Sequence, residues 1–230
     1  MDDAEAESPS AESLSELVYD RLRRSLMRAD LKPHQRIKVR DMALQMGTSE
    51  TPVREALMQL ARDGAVEIKP RHYIRIRRTT AAEFTEIRDI RLVLEPMAAG
   101  LALSVVKDHH IAELEAAHEK LVVAERAGNW TEALNANFEF HFGLYALAPK
   151  PTLFDILERL WLRVGPVLSE LYPHAKPTYD ERHQHLNVLA ALRARDSLAL
   201  NEAIRRDLIE GGRNLTQRLL ALEAAKTSGS

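Results

Sequence analysis

Between Arg40 and Gly64 the apolar positions recur in two short bursts. Met42, Ala43 and Met46 share one side of the first. Val53, Ala56, Leu57, Leu60 and Ala61 follow at i, i+3, i+4, i+7 and i+8 in the second, the stripe of an amphipathic helix. Gly47 supplies backbone freedom for a corner between them. Ser49 sits where an N-cap is needed, and Pro52 falls in the first turn, where a missing N–H costs nothing. The pattern predicts two short helices around a tight turn. Glu50, Thr51, Arg54, Glu55 and Met58 lie on the outward face of the second, and Arg40 opens the first. A helix offering polar and basic groups at its N-terminal end is how a helix-turn-helix reads the major groove. An ordinary helical hairpin with a solvated face has the same pattern, so the neighbours must decide.

Upstream, Leu14, Leu17, Val18, Leu22 and Leu26 mark a helix over 14–27, with Ser13 and Glu16 at the spacing of a capping box. Its other face carries Arg21, Arg23, Arg24 and Arg28, close enough to serve phosphates. Residues 35–39 are a short connection. Downstream of Asp63-Gly64, a helix stop, residues 65–68 and 73–77 alternate with period two around Lys69-Pro70-Arg71-His72, a β-hairpin pattern. Helix, helix-turn-helix and basic hairpin together outline a winged helix. Its wing holds Lys69, Arg71, His72, Arg75, Arg77 and Arg78, enough to grip a phosphate backbone or enter a minor groove.

Everything after the short linker Thr79-Thr80 reads as helix: near 81–106, 108–127, 130–147, 151–171, 178–194 and 197–224, with Gly128-Asn129, Pro149-Lys150-Pro151, Pro173 and Pro177 as breaks. The fold class is therefore mainly α. A winged helix-turn-helix with a small β-hairpin wing over 12–78 precedes an all-α six-helix bundle over 81–225. Residues 1–11 read as a disordered acidic tail and 226–230 as a frayed one.

Composition adds an asymmetry. The net charge is only −2, but residues 12–78 hold 15 Lys/Arg against 9 Asp/Glu, whereas residues 79–230 hold 17 against 21. A basic block on an acidic body suggests an anion-binding module; chance partitioning of a charged surface is the alternative. There are no cysteines, which excludes disulfides and thiolate chemistry and fits a reducing cytoplasm. No run approaches the ~20 apolar residues of a membrane span, and the start MDDAEAESPSAE is unlike a signal peptide.

The segments GTSETPVREAL (47–57) and DGAVEIKPR (63–71), with EIRDIRLVLEPMAAGLA (86–102) and HLNVLAALRARD (185–196), carry a resemblance. The chain is similar to the GntR family of bacterial transcription regulators, in the FadR-type subgroup with an all-helical (FCD) ligand-binding domain, over roughly residues 13–222. The resemblance implies that Arg40 and Arg54 contact operator DNA, with Thr51 beside them and His72, next to Arg71, in the wing. Two positions depart from the family. Glu50 stands where a base-reading arginine is usual; a glutamate accepts from cytosine N4 but repels phosphate, so a different operator is expected. Tyr73 stands where a wing-tip glycine is usual, which puts the wing's reach in doubt.

The helical body carries no nucleophile elbow, phosphate loop or HExxH motif. It does carry Asn137 and His141 one turn apart in the stripe Leu134, Phe138, Phe142 and Tyr145. His185 lies on a stripe with Val188, Leu189 and Leu192, and Asp207 beside Ile204, Leu208 and Gly211. If the last two helices turn at Asp196, His185 and Asp207 are 11 residues to either side and face each other. Each group alone reads as a satisfied core residue; four converging are harder to dismiss, because unpaired buried polar groups are costly. The resemblance implies a divalent metal here, held in the family by one Asp and three His. Aligned so, Asn137 replaces the Asp and Asp207 the last His, leaving two His and one carboxylate for zinc or nickel. It also implies a small organic acid effector. Arg91 is a candidate carboxylate partner and Arg163, with Trp161, a weaker one; pairing of Arg91 with Glu95 at i+4 is the structural alternative. His109, His110, His118, His174 and His183 read as surface histidines.

The leading reading is a ligand-responsive repressor, a cytoplasmic homodimer on a palindromic operator in double-stranded DNA, and not an enzyme. The alternatives are a metal-dependent hydrolytic enzyme, for which no positioned second acid or base is evident, and a helical nucleic-acid-binding protein that senses nothing.

Overall fold

A computed structural model describes residues 11–227, with side chains from 14 to 225. The first ten residues of the expected acidic tail and the last three of the expected frayed one lie outside these, and Ala11, read as tail, opens the first helix. Among the described residues are nine helices and one two-stranded sheet.

The head begins with α1 (Ala11–Met27), which buries Val18, Leu22 and Leu26 and leaves Leu17 60% exposed. The helix starts before Ser13, so Ser13 is not its cap. The predicted pair follows as α2 (Val39–Met46) and α3 (Glu50–Arg62). Gly47 closes α2 in the left-handed region at φ 66°, where its N–H reaches back to the last turn. Ser49 is the N-cap residue of α3, without a side-chain cap bond, and Pro52, Val53, Ala56, Leu57 and Leu60 form the buried stripe.

The wing is β1 (Val66–Lys69) antiparallel to β2 (Tyr73–Ile76), with Val66 opposite Ile76 and Lys69 opposite Tyr73. The His72 N–H donates to the Lys69 carbonyl, Pro70 holds the first corner position, and Arg71 takes φ 62° at the second, as a type II turn demands. The left-handed tip residue is therefore Arg71, and Tyr73 belongs to the strand. The connection before α2 is ordered too: Ile37 N–H donates to Ile74 and Ile76 N–H to Gln35, adding a third edge to the wing.

The body consists of α4 (Ala81–Ala102), α5 (Asp108–Ala127), α6 (Trp130–Tyr145), α7 (Pro151–Leu168), α8 (Gln184–Ala194) and α9 (Ser197–Thr227). Thr79 and Thr80 are fixed rather than loose. The Thr79 hydroxyl donates to the Arg163 carbonyl at 2.5 Å, and Thr80 caps α4 in a reciprocal box with Glu83. The helix predicted over 178–194 begins only at Gln184; residues 178–183 are turn and irregular chain. Residues 226 and 227, expected to fray, continue α9. The α8–α9 corner falls where predicted: Arg195 adopts φ 53°, and Asp196 accepts from the N–H groups of Leu198 and Ala199, both at 3.0 Å.

Head and body share a core. Phe142, Trp161 and Leu162 pack in one cluster with Val18, Leu22 and Leu26. Gly165 lets α7 lie directly on the end of α1: a Cβ there would stand 2.3 Å from the Leu26 carbonyl oxygen.

Candidate metal and effector site, and the DNA-facing head

The apolar stripe of α6 is broken by Asn137 and by His141, and His141 points into the body, where it is 3% exposed. The α8–α9 hairpin brings His185 and Asp207 to the same height. His141 Nε2 is 3.3 Å from Asp207 Oδ2 and 3.4 Å from His185 Nε2. One donor atom from each of the three lies within 4.8 Å of the others. Asn137, half-buried one turn before His141, lines the same cavity with Arg88, Arg91, Tyr179 and Trp161. The cavity measures about 70 Å³, room for a few waters or a small acid's polar end.

Electrostatics suits this set to cations. Burial alone would raise the Asp207 carboxyl, but its hydrogen bond from His141 and the nearby His141, His183 and Arg91 hold it below its ordinary value. Burial pushes His185 well below the usual imidazole range, with neighbouring His183, His141 and His118 adding to the effect. Neutral imidazoles and an ionised carboxylate are the forms that ligate metal.

Arg91 does both things weighed for it. Its Nε donates to Glu95 Oε1 at 2.6 Å, and it lines the cavity with its guanidinium 4.4 Å over Trp161. Glu95, fully buried, also accepts from Trp161 Nε1 at 2.6 Å and from the Tyr145 hydroxyl at 2.8 Å. Arg163 is elsewhere. It is absent from the cavity wall and sits at the head–body junction, its Nη2 3.9 Å from Glu83 and its Nε near Gly64. Two positions on from Trp161 along α7, that residue points to a different side, toward Gly64 and Glu83.

Two histidines expected on the surface are not there. His118 is 6% exposed on α5, and His183 is half-buried before α8, its imidazole pushed down to about 4 by burial. The stripe Ile111, Leu114, Ala117, Leu121 and Ala124 runs through His118, a signal present in the sequence. Arg88, one turn before Arg91, and Tyr179, in the stretch predicted as helix, were also missed.

On the head, Arg40, Thr51, Arg71 and His72 are exposed. Arg54 and Glu50 are exposed but joined at 2.7 Å. Several arginines read as phosphate contacts are engaged instead. Arg23 pairs with Glu158 of α7 at 2.7 Å, Arg28 lies over the Phe138 ring, Arg75 binds Glu67 at 2.8 Å, and Arg77 binds Glu83. The Tyr73 hydroxyl donates to Glu67 at 2.5 Å, folding that ring onto the wing's own face.

A winged helix-turn-helix with an exposed reading helix, docked on a helical body that encloses a small polar cavity, defines a class: DNA-binding regulators with a sensing domain. Residues 14–76 match the family described as "Bacterial regulatory proteins, gntR family", and residues 86–210 match the FCD domain. The HTH-type transcriptional regulator McbR of Escherichia coli K12 is 35% identical over 187 residues, 80% of this chain and 84% of that protein. The repressor RspR of the same organism is 25% identical over 89% of this chain and 90% of its own. The solved structure of E. coli McbR/YncC superposes with a TM-score of 0.80 at 32% identity, covering 90% of this chain and 98% of that one. A regulator from Rhodococcus sp. RHA1, at TM-score 0.70 and 19% identity, shows the fold alone; it covers 90% of this chain and 97% of that one. This chain belongs to the GntR family and carries an FCD domain: it is a transcription regulator and not an enzyme.

Proposed function

We propose that the chain is a cytoplasmic homodimeric repressor that binds a palindromic operator and is governed by a small organic acid, with a zinc- or nickel-class ion beside it. The observation that carries the reading is the convergence of His141, His185 and Asp207, with His141 and Asp207 on the wall of a cavity that also presents Arg88 and Arg91. Two imidazoles and a carboxylate suit such an ion; when bound, it supplies a positive centre for an acid's oxygen. Arg91 then orients the carboxylate, and Asn137 offers an amide to the same space. Trp161 and α7 link that space to α1, so a guest shifts the head by changing how α7 rests on it. Arg40, Thr51 and Arg54 face the major groove, with Arg71 and His72 on the adjacent backbone. The exposed row Ile90, Val93 and Met97 on α4 is the apolar face that pairing of two copies would cover. No described helix is long and apolar enough to cross a membrane.

The test is a gel-shift series on duplexes selected from the source genome, with single small carboxylates added. Release of specific DNA by one acid, lost in Arg91→Ala and Asp207→Ala protein that still binds DNA, is the expected result. Specific binding indifferent to every acid would leave a regulator without this sensing site.

A further inference from the structure

His185 has a second side. Its Nε2 faces His141, while its Nδ1 has no hydrogen-bond partner among the described residues and the ring is fully buried. His118 is in the same condition, buried with an unpartnered Nδ1. His183 adjoins both, its ring centroid 4.3 Å from that of His185 and 5.0 Å from that of His118. Its Nδ1 accepts from the His185 backbone N–H at 3.2 Å, which leaves Nε2, 3.2 Å from the Tyr179 hydroxyl. One ring nitrogen from each of these three histidines lies within 4.8 Å of the other two. Nitrogens each ~2.1 Å from one zinc are at most about 4 Å apart, so a small side-chain movement closes the set. Two orphaned nitrogens in the interior are otherwise a cost the fold has no reason to carry.

We propose that His118, His183 and His185 form a second metal site, an all-imidazole one, joined through His185 to the His141–His185–Asp207 set. Three imidazoles and no carboxylate favour zinc or copper(II) over magnesium, calcium or manganese. With both sites filled, each ion takes one nitrogen of His185. The Nδ1–H proton leaves to solvent as the Nδ1–metal bond forms, and the ring bridges as an imidazolate. Tyr179 sits where the two sets meet, its hydroxyl 3.2 Å from His183 Nε2 and 3.5 Å from Asp207 Oδ1. It can therefore support a ligand of either ion. The proposal does not rest on effector sensing: three imidazoles hold an ion whether or not an acid ever enters the cavity.

The experiment is a calorimetric titration of chelator-stripped full-length protein with zinc alone, repeated with cobalt(II) to read coordination from its absorption. Expected are two high-affinity equivalents in the wild type. His118→Gln and His183→Gln should each keep one, Asp207→Asn should keep the one that those two lose, and His185→Gln should lose both. Circular dichroism and the melting temperature establish that each variant is folded; His183, in irregular chain, decides if the buried His118 variant is not. A single equivalent lost in His183→Gln but kept in Asp207→Asn supports the all-histidine site and removes the Asp207 reading. Any number of wild-type equivalents, zero included, that neither His118→Gln nor His183→Gln reduces would overturn the proposal.

Discussion

Arg54 donates through Nη2 to Glu50 Oε2 at 2.7 Å across one turn of the exposed face of α3. The reading helix of the free protein thus carries its arginine already partnered. An exposed pair of this kind is worth only a few tenths of a kcal/mol, ~0.3–0.5 for i,i+4, so DNA can open it. Glu50→Gln should free Arg54 for phosphate. The slope of log affinity against log salt is then expected to steepen by up to about 0.9, one added contact, and a selection from random duplexes to return a different preferred site. The same slope and the same site would show that Glu50 reads nothing.

Acid should weaken the metal-stripped protein through the buried histidines. His183 titrates near 4 when folded and about 6.5 when unfolded, so between these values the unfolded chain binds the extra proton. Stability is then full above about pH 6.5 and falls as pH drops toward 4, by up to about 3 kcal/mol from this group. His185 and His118, also lowered by burial, act in the same direction. Urea midpoints measured across pH 4–7 should slope accordingly, and less steeply in His183→Gln; equal slopes would rule His183 out as a source.

Gly165→Ala tests the seam between head and body. The added methyl meets the Leu26 carbonyl oxygen at 2.3 Å and Met27 Cα at 2.7 Å, backbone atoms that cannot rotate away. Overpacking of this sort costs roughly 1–3 kcal/mol. Calorimetry should show a lower melting temperature and a transition split into two, while specific DNA binding persists and any effector response weakens. One unshifted transition would mean that α7 slides freely.

Glu95 is a hub for three donors: Arg91, Tyr145 and Trp161. Removing it strands a buried guanidinium, so Glu95→Ala should cost about 3–5 kcal/mol. The check is chemical denaturation followed by tryptophan emission. A loss under about 1 kcal/mol would say that Arg91 finds solvent or another anion.

The periodic segments declared themselves. Val53 to Leu60 gave the reading helix, the alternation around Pro70 gave the wing, and the separation of His185 and Asp207 about Asp196 gave the convergence of those two side chains. What stayed hidden depended on contacts between distant segments. Residues 178–183 have helix-compatible composition, yet they are spent on bringing Tyr179 to His183 and Asp207. Charge alone could not distinguish Arg23, bound to Glu158 of a different domain, from an arginine free to meet phosphate. His118 was legible, since it lies within its helix's apolar stripe, but a histidine there draws less notice than a leucine. Arg163 and Trp161 are two residues apart on α7 and so face different directions, a separation that proximity in sequence conceals.

Trp161 belongs both to the cavity wall and to the cluster on which α1 rests. One rigid indole is thus a shared partition between two rooms. If the cavity takes the effector we propose, a molecule that merely fits beside the indole would leave the head undisturbed, and one that leans on it would be felt by the reading helix. Selectivity among chemically similar acids can then come from bulk on the indole side, and a bulky blocker could mimic the natural signal without any matching charge.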